Sequence, residues 1–330
     1  MTTISVISPT YNAERTILKT IKSVQQQTYK NLEIIVINDG LSDRTLELLE
    51  TVADARLKTY SYPNGGLPTA RNRGIERAQG EYISFIDADD FWTEDKLEKQ
   101  LTALQTNPDA GVAYSWFTIA IESENNSGDT SFVLGKKVFF SGDVYERLLV
   151  DNFIGNGSNI LIRSSVLKRV GNFDPTLKSC EDWDYFLRLA SQVNFAVVPK
   201  YQVFYRKGEG TMSSKGLVME REGLKVIDKT FQNISRSPSR LKNKSTASFY
   251  RYCGKIYIDN AAKAEDVQRS KHKLAQAISL NPLIIFQADT YILAAKILLI
   301  QLLPGKLAKN IISVLKKLFL GRKMSKSDLI

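Results

Sequence analysis

An α/β fold is what the sequence predicts: a mostly parallel sheet flanked by helices, with a helical extension at the C-terminal end. Three features carry that reading. Through the first 110 or so residues, short apolar runs alternate with polar segments of helical period. Loops holding acids or glycines follow those runs, and beyond about Gly216 the pattern turns helical.

The apolar runs lie at 4–8, 32–38, 57–60 and 82–86. Their βαβα order implies parallel pairing through crossovers, and ligands in such sheets bind beyond the carboxyl ends of the strands. The loops at those ends read Pro9-Thr10-Tyr11-Asn12, Asp39-Gly40-Leu41-Ser42-Asp43, Asn64-Gly65-Gly66 and Asp87-Ala88-Asp89-Asp90, and all four should share one edge. Thr93 reads as a helix N-cap, with Glu94 and Asp95 in the first turn, where negative charge suits the helix dipole. Strands at 112–121 and 159–163, a polar loop near 122–130 and helices at 144–150 and 182–190 follow.

Composition narrows the chemistry. At 330 residues, 43% hydrophobic and 24% charged, the chain suits a folded soluble protein. Cys180 and Cys253 are its two cysteines, so no disulfide framework or Cys-x-x-Cys motif is present and a reducing, cytoplasmic setting is expected. The N-terminus lacks the pattern of a secretory signal. A single histidine, His272, excludes any site built on two imidazoles, which leaves carboxylates to do the chemistry.

Asp87, Asp89 and Asp90 crowd at a strand end with no lysine or arginine within five residues on either side. Such acids repel one another unless a cation intervenes. A hard divalent ion, Mg²⁺ or Mn²⁺, takes one or two carboxylates and completes its shell with water and phosphate oxygens; a solvated acidic turn is the plainer alternative. Asp39 ends another strand, and Asn64-Gly65-Gly66 offers backbone amides to an oxygen-rich ligand. Neither Gly-x-Gly-x-x-Gly nor Gly-Lys-Ser/Thr occurs there, so a dinucleotide fold and a P-loop kinase are unsupported. A second acid pair opens Glu181-Asp182-Trp183-Asp184. There Asp182 is either a helix cap or part of a pair in which one carboxylate takes a proton from a hydroxyl.

Ser8-Pro9-Thr10-Tyr11-Asn12, Asn38-Asp39-Gly40, Ala70-Arg71-Asn72-Arg73-Gly74 and Phe85-Ile86-Asp87-Ala88-Asp89-Asp90 together resemble the family 2 glycosyltransferases of GT-A fold, a Rossmann-like architecture. The resemblance covers roughly residues 1–210. It implies that Pro9, Tyr11, Asp39 and Arg71 hold the nucleotide, that Asp87 meets the ribose, and that Asp89 binds the metal; Asn64, from the Asn64-Gly65-Gly66 loop, is expected beside the nucleotide. The Glu-Asp pair resembles the family's signature, which points to Asp182 as the catalytic base. Glu181, Trp183 and Asn156 are expected on the acceptor side, although a core tryptophan and a glycine turn explain Trp183 and Asn156 equally well. The implied reaction is a single inverting displacement, in which a hydroxyl of a glycan or lipid-linked acceptor attacks the anomeric carbon of a nucleotide-diphosphate sugar, UDP being the family-typical donor nucleotide. Its place would be surface polysaccharide or glycoconjugate synthesis. Many relatives carry a metal-binding histidine shortly after a Tyr-Arg pair. Here Tyr205-Arg206-Lys207-Gly208-Glu209 has Gly208 instead, so Glu209, water or Lys207 stands in, or the cation is held more loosely.

Two other activities stay in view. A nucleotidyltransferase should show a glycine-rich N-terminal loop with a basic residue, which Pro9-Thr10-Tyr11-Asn12-Ala13-Glu14 does not provide. An inactive nucleotide-sugar-binding module on a membrane would be expected to have lost Asp89 or Asp182, and both are present.

The expected domains are 1–215, with a nucleotide-binding half at 1–110 and an acceptor half at 111–215, and a basic helical region at 216–330. Residues 201–330 hold 24 Lys+Arg against 9 Asp+Glu, whereas the rest of the chain is net acidic. Between Asp289 and Asp328 there is no acid. On a helix, Leu307, Ile311, Val314, Leu315 and Leu318 share one face and Lys306, Asn310, Ser313 and Lys317 the other, a membrane-surface pattern; packing on the catalytic domain is the alternative. Segment 304–326 is therefore expected to meet an anionic membrane surface, with the protein peripheral on the inner face. Gln287, Asp289, Lys296 and Gln301 argue against a spanning helix in 283–303. Zinc-finger spacing and RNA-binding aromatic motifs are missing, so no nucleic-acid partner is expected.

Overall fold

A computed structural model describes residues 2–40, 42–122, 130–207, 215–232, 239–261 and 263–302. It divides into two compact units, one from Met1–Tyr145 and Phe153–Arg206, the other from Glu146–Asn152 and the described part of Lys207–Ser325.

The first unit opens as β1 (Ile4–Thr10), α1 (Ile17–Gln25), β2 (Leu32–Asp39), α2 (Thr45–Glu50), β3 (Leu57–Tyr62), α3 (Leu67–Arg77) and β4 (Tyr82–Phe85). It continues with β5 (Phe91–Trp92), α4 (Lys96–Thr106), β6 (Ala110–Glu122), β7 (Thr130–Leu134), α5 (Tyr145–Val150, most of which groups with the second unit), β8 (Leu161–Arg163), α6 (Ser164–Val170), α7 (Glu181–Ala190) and β9 (Asn194–Lys207). β1 is buried along its whole length and β2 nearly so, as expected of parallel strands covered on both faces.

The sheet order is β3-β2-β1-β4-β8-β6-β9-β5, with β7 on β6. β1 to β4 pair in parallel, while the pairings of β8 with β4 and β6, of β7 with β6 and of β5 with β9 are antiparallel. Strand order reverses between β1 and β4, which opens a crevice at their carboxyl ends. The register sets Thr10 beside Asn38, Asp39 beside Tyr62 and Ile7 beside Phe85, so the four loops do share one edge. α3 lies unusually close to β1, because a Cβ on Gly74 would come within 2.2 Å of Ile7 Cγ2. That close approach sets Arg71, one turn earlier on α3, at the crevice.

The helix expected from Thr93 begins later. α4 starts at Lys96 with Asp95 as its flanking residue, and Glu98 is the acid of its first turn. Thr93 Oγ1 instead donates to Asp95 Oδ1 at 2.9 Å. The delay has a tertiary cause: Phe91 and Trp92 pair with Phe204 and Val203 of β9, and Thr93 N–H donates to Gln202 O. Likewise Asp182 is not a cap, since α7 begins at Glu181 and puts Asp182 in its first turn. The strand expected at 159–163 is shortened to β8 by a 3-10 turn over Gly157–Asn159.

The second unit holds α8 (Gly216–Gln232), α9 (Ser239–Asp259), α10 (Ala264–Leu280), a 3-10 turn at Pro282–Phe286 and α11 (Ala288–Leu302). Ile258, Val267, Leu274, Leu293 and Ile297 form its core between α9, α10 and α11. Among the described residues no helix is long and apolar enough to cross a membrane. Gly208, Glu209 and segment 304–326 lie outside the described residues.

Candidate active site

Arg71 is the hub of the crevice. Its guanidinium is 1% exposed, with Nη1 donating to Glu181 Oε1 at 2.7 Å and Nη2 to Asp87 Oδ1 at 2.8 Å. Burial alone would lower its pKa, but Asp87 and Glu181 outweigh that and raise it, so the cation is permanent. One side chain thus ties the acidic loop after β4 to the start of α7, which begins 110 residues beyond Arg71 in sequence.

Glycine at 157 is required by that arrangement, because a Cβ there would sit 2.4 Å from Arg71 Nη2. Gly157→Ala should therefore displace the guanidinium and destabilise the fold by about 1–3 kcal/mol, as overpacking does. A urea-denaturation midpoint lowered with an unchanged slope would show it.

The three acids after β4 differ in surroundings. Asp90 is fully buried, accepting from Ser158 Oγ (2.5 Å) and Arg206 N–H (2.9 Å). Burial, then Asp89 and Asp87, hold its carboxyl well above the usual range. Asp87 is half-buried, bound to Arg71, and its N–H donates to Ser158 Oγ at 2.9 Å. Asp89 is half-buried, and no side chain among the described residues donates a hydrogen bond to its carboxylate. Desolvation and the neighbouring Asp87 push its carboxyl up to about 6, against the Arg206 charge. Ser158 and the Arg206 of the Tyr-Arg pair brace this loop, a role that the motifs did not indicate, and Arg206 Nε also donates to Asp89 O at 2.8 Å.

Asp39 is buried and receives Gly65 N–H (2.9 Å) and Arg73 Nη1 (2.8 Å) on Oδ1 and Gly66 N–H (2.8 Å) on Oδ2. Asn64 is exposed and donates from Nδ2 to Asp39 O. The glycine amides therefore turn toward Asp39 rather than toward an open ligand position. Pro9 is buried, and Tyr11 beyond it is 56% exposed. Asn12 ties this turn to the loop after β2 by accepting Ser42 N–H at 2.9 Å.

At α7, Cys180 takes φ +60°, a left-handed conformation uncommon for a residue with a side chain, immediately before Glu181-Asp182. Asp182 is half-buried and its Oδ1 accepts Trp183 N–H at 2.7 Å. Burial first, then Glu181, push its carboxyl up to about 7, while Arg71 opposes the shift. Trp183 is buried in the helix. Asn156 is 3% exposed, and neither amide atom has a hydrogen-bond partner among the described residues. No group of three or more His, Cys, Asp or Glu among the described residues is arranged to hold a metal ion.

Strand-end acids bridged through Arg71 to a second carboxylate pair match the family read from the four motifs, and the family model "Glycosyltransferase like family 2" covers residues 5–267. The chain belongs to this glycosyltransferase family. An uncharacterised glycosyltransferase of Haemophilus influenzae is 46% identical over 110 residues, 32% of this chain and 44% of its own. The UDP-Glc:α-D-GlcNAc-diphosphoundecaprenol β-1,3-glucosyltransferase WfgD of Escherichia coli is 36% identical over 163 residues, 49% of this chain and 60% of its own. The matches therefore span only about half the length of these curated relatives. The crystal structure of S. aureus TarS 1-349 in complex with UDP-GlcNAc superposes with a TM-score of 0.60 at 21% identity, covering 84% of this chain and 81% of that one. The fold of this family 2 member is the expected GT-A fold.

Proposed function

We propose that this chain transfers a sugar, with inversion, from a nucleotide-diphosphate donor, preferably a UDP-sugar, to a hydroxyl of a glycan or lipid-linked acceptor in surface polysaccharide or glycoconjugate synthesis. The observation that carries this is the Arg71 bridge, which brings the donor-side acid Asp87 and the carboxylate pair Glu181-Asp182 into one crevice. The E. coli relative, named for a UDP-Glc donor and a diphosphoundecaprenol-linked sugar, supports both substrate classes.

In this reading residues 1–110 bind the donor, 111–215 receive the acceptor, and 216–330 form the appendage. Tyr11 offers an exposed ring and Pro9 a rigid turn to the nucleobase, with Asp39 holding the loop around it; Asn64 sits at the rim. Asp87 accepts from the ribose. Asp182, whose second oxygen has no partner among the described residues, takes the proton of the attacking hydroxyl. Glu181, Trp183 and Asn156 shape the acceptor side, the unpartnered Asn156 amide being suited to paired sugar hydroxyls.

The donor set suits Mg²⁺ or Mn²⁺ in one respect: Asp89 presents carboxylate oxygens that no side chain is shown to bond among the described residues, while the adjacent Asp87 has one oxygen bonded to Arg71. When bound there, the ion would neutralise charge on the leaving diphosphate. Asp90 is committed to Ser158 and Arg206, and Asp87 to Arg71.

The protein is proposed to be cytoplasmic and peripheral on the inner membrane face through 304–326. The test of function is a panel of nucleotide sugars, read by thermal stabilisation and then by transfer to a lipid-diphosphate sugar. UDP-sugars should stabilise most. Mn²⁺ should half-saturate donor hydrolysis above the micromolar range, and Asp89→Asn should abolish that dependence. Tight micromolar affinity would contradict a single-carboxylate site, and an inert panel would sink the proposed activity.

A further inference from the structure

The outer face of α11 is apolar and exposed among the described residues. Thr290, Leu293 and Ile297 turn inward, while Tyr291 (61%), Ile292, Leu298 and Leu302 (71%) stand exposed, with Gln301 the one polar side chain among the exposed residues of the helix. Its charged residues are held at the flanks, Lys296 on Asp259 at 2.6 Å and Asp289 near Arg251 at 4.0 Å. The 3-10 turn just before it adds exposed Leu283, Ile285 and Phe286 (73%). Of the thirteen large apolar side chains exposed in the described chain, seven thus fall within 283–302. Amphipathic surface helices direct a polar face outward, and soluble monomers rarely expose apolar side chains in such numbers together.

Charge selects the occupant. Immediately after α11 the sequence carries Lys306, Lys309, Lys316, Lys317, Arg322, Lys323 and Lys326 with no acid before Asp328. Two copies meeting through this face would bring two such basic sequences toward one another, whereas an anionic surface would neutralise them. An open depression of about 160 Å³ between α10 and α11 is lined by Leu274, Ala294, Ile297 and Leu298 and by the exposed Lys271 and Gln301. A shallow apolar surface with a lysine beside it suits a phospholipid, whose acyl chain would meet the apolar side chains and whose phosphate would meet Lys271.

We propose that the exposed face of α11 and its preceding 3-10 turn form a wedge that inserts into an anionic phospholipid bilayer. Phe286, Leu298 and Leu302 enter the headgroup–acyl boundary. The wedge builds on the peripheral attachment proposed for 304–326 and is independent of the transfer reaction.

The test is co-sedimentation of the full chain with vesicles of phosphatidylcholine and phosphatidylglycerol in equal parts, against phosphatidylcholine alone. Binding should need the anionic lipid. The triple variant Phe286→Ser, Leu298→Ser, Leu302→Ser should weaken it by roughly tenfold or more, given the apolar area withdrawn. All three side chains are exposed, so the melting temperature should hold. Tyr291→Trp should show blue-shifted fluorescence, quenched by brominated acyl chains. Parental binding by the triple variant, or an unshifted tryptophan, would overturn the wedge and leave attachment to 304–326. Lys316→Gln with Lys317→Gln examines that segment separately: full binding by this pair together with loss in the triple variant keeps the wedge and removes the segment. A dimer that the triple variant dissociates, without vesicle binding, would make this face a contact between copies and overturn the proposal.

Discussion

Asp182→Asn is expected to lower transfer by roughly 10²–10⁴-fold while UDP affinity stays near parental, because the change removes a proton acceptor and little else. Asparagine keeps the shape, and its carbonyl can still accept Trp183 N–H. The parental carboxyl is pushed up to about 7, so it must lose its proton near neutrality before it can act. The acid limb of kcat/KM for the parent should therefore rise through about pH 7, and the residual activity of the variant should lack it. Stability should move the other way. An unfolded aspartate titrates near ~3.9, so between there and about 7 the native state keeps a proton that the unfolded state has lost, and this group's contribution falls as pH rises. Asp182→Asn has no proton to lose, and above pH 7 it should melt higher than the parent. Transfer at the parental rate, or a melting temperature lowered at pH 8, would refute the base assignment and the buried-charge account respectively.

What could be read in advance divides by the distance over which the determining contacts act. The parallel half was legible because 4–8 and 32–38 are continuous apolar runs, and because in such a sheet the strand ends gather the following loops without further information. The α4 start was not. Thr93 has an N-cap composition, but pairing of Phe91 and Trp92 with β9, more than a hundred residues away, extends the chain past it. Asp87, Asp89 and Asp90 look alike as letters and differ in the fold only because Ser158, Arg206 and Arg71 arrive from elsewhere. The Ala70-Arg71-Asn72-Arg73-Gly74 motif marked the site but not which arginine does what, since the partners of Arg71 and Arg73 lie on α7 and at the strand ends. In the second unit the apolar content of α11 was plain in the sequence, and only side-chain exposure separated its packed face from its bare one.

Arg71→Met should cost more than any other single change in the crevice, for it leaves Asp87 and Glu181 buried or half-buried without their shared counter-charge. Removing one partner of a buried ion pair typically costs about 3–5 kcal/mol, and this variant is expected to melt much lower or fail to fold. Arg71→Lys is the more discriminating change. A lysine ammonium is a point charge that can reach one carboxylate but not both in a planar fork, so the acidic loop and α7 would be tied less firmly. If Arg71 acts by positioning, Arg71→Lys should retain UDP affinity within about twofold, since each lost factor of ten would require 1.4 kcal/mol of direct contact. kcat should fall, and the acid limb should move to higher pH, because the Arg71 charge, together with the Trp183 N–H, opposes protonation of Asp182. If instead the guanidinium leaves its carboxylates to grip the donor nucleotide, as the family resemblance implies, UDP affinity falls in step with kcat/KM and the acid limb stays in place. Calorimetric titration of UDP alongside the pH profile separates the two. The 1% exposure of Arg71 and its two short ion pairs favour positioning, with the arginine holding the donor-side acid and the base helix in register for the proton transfer.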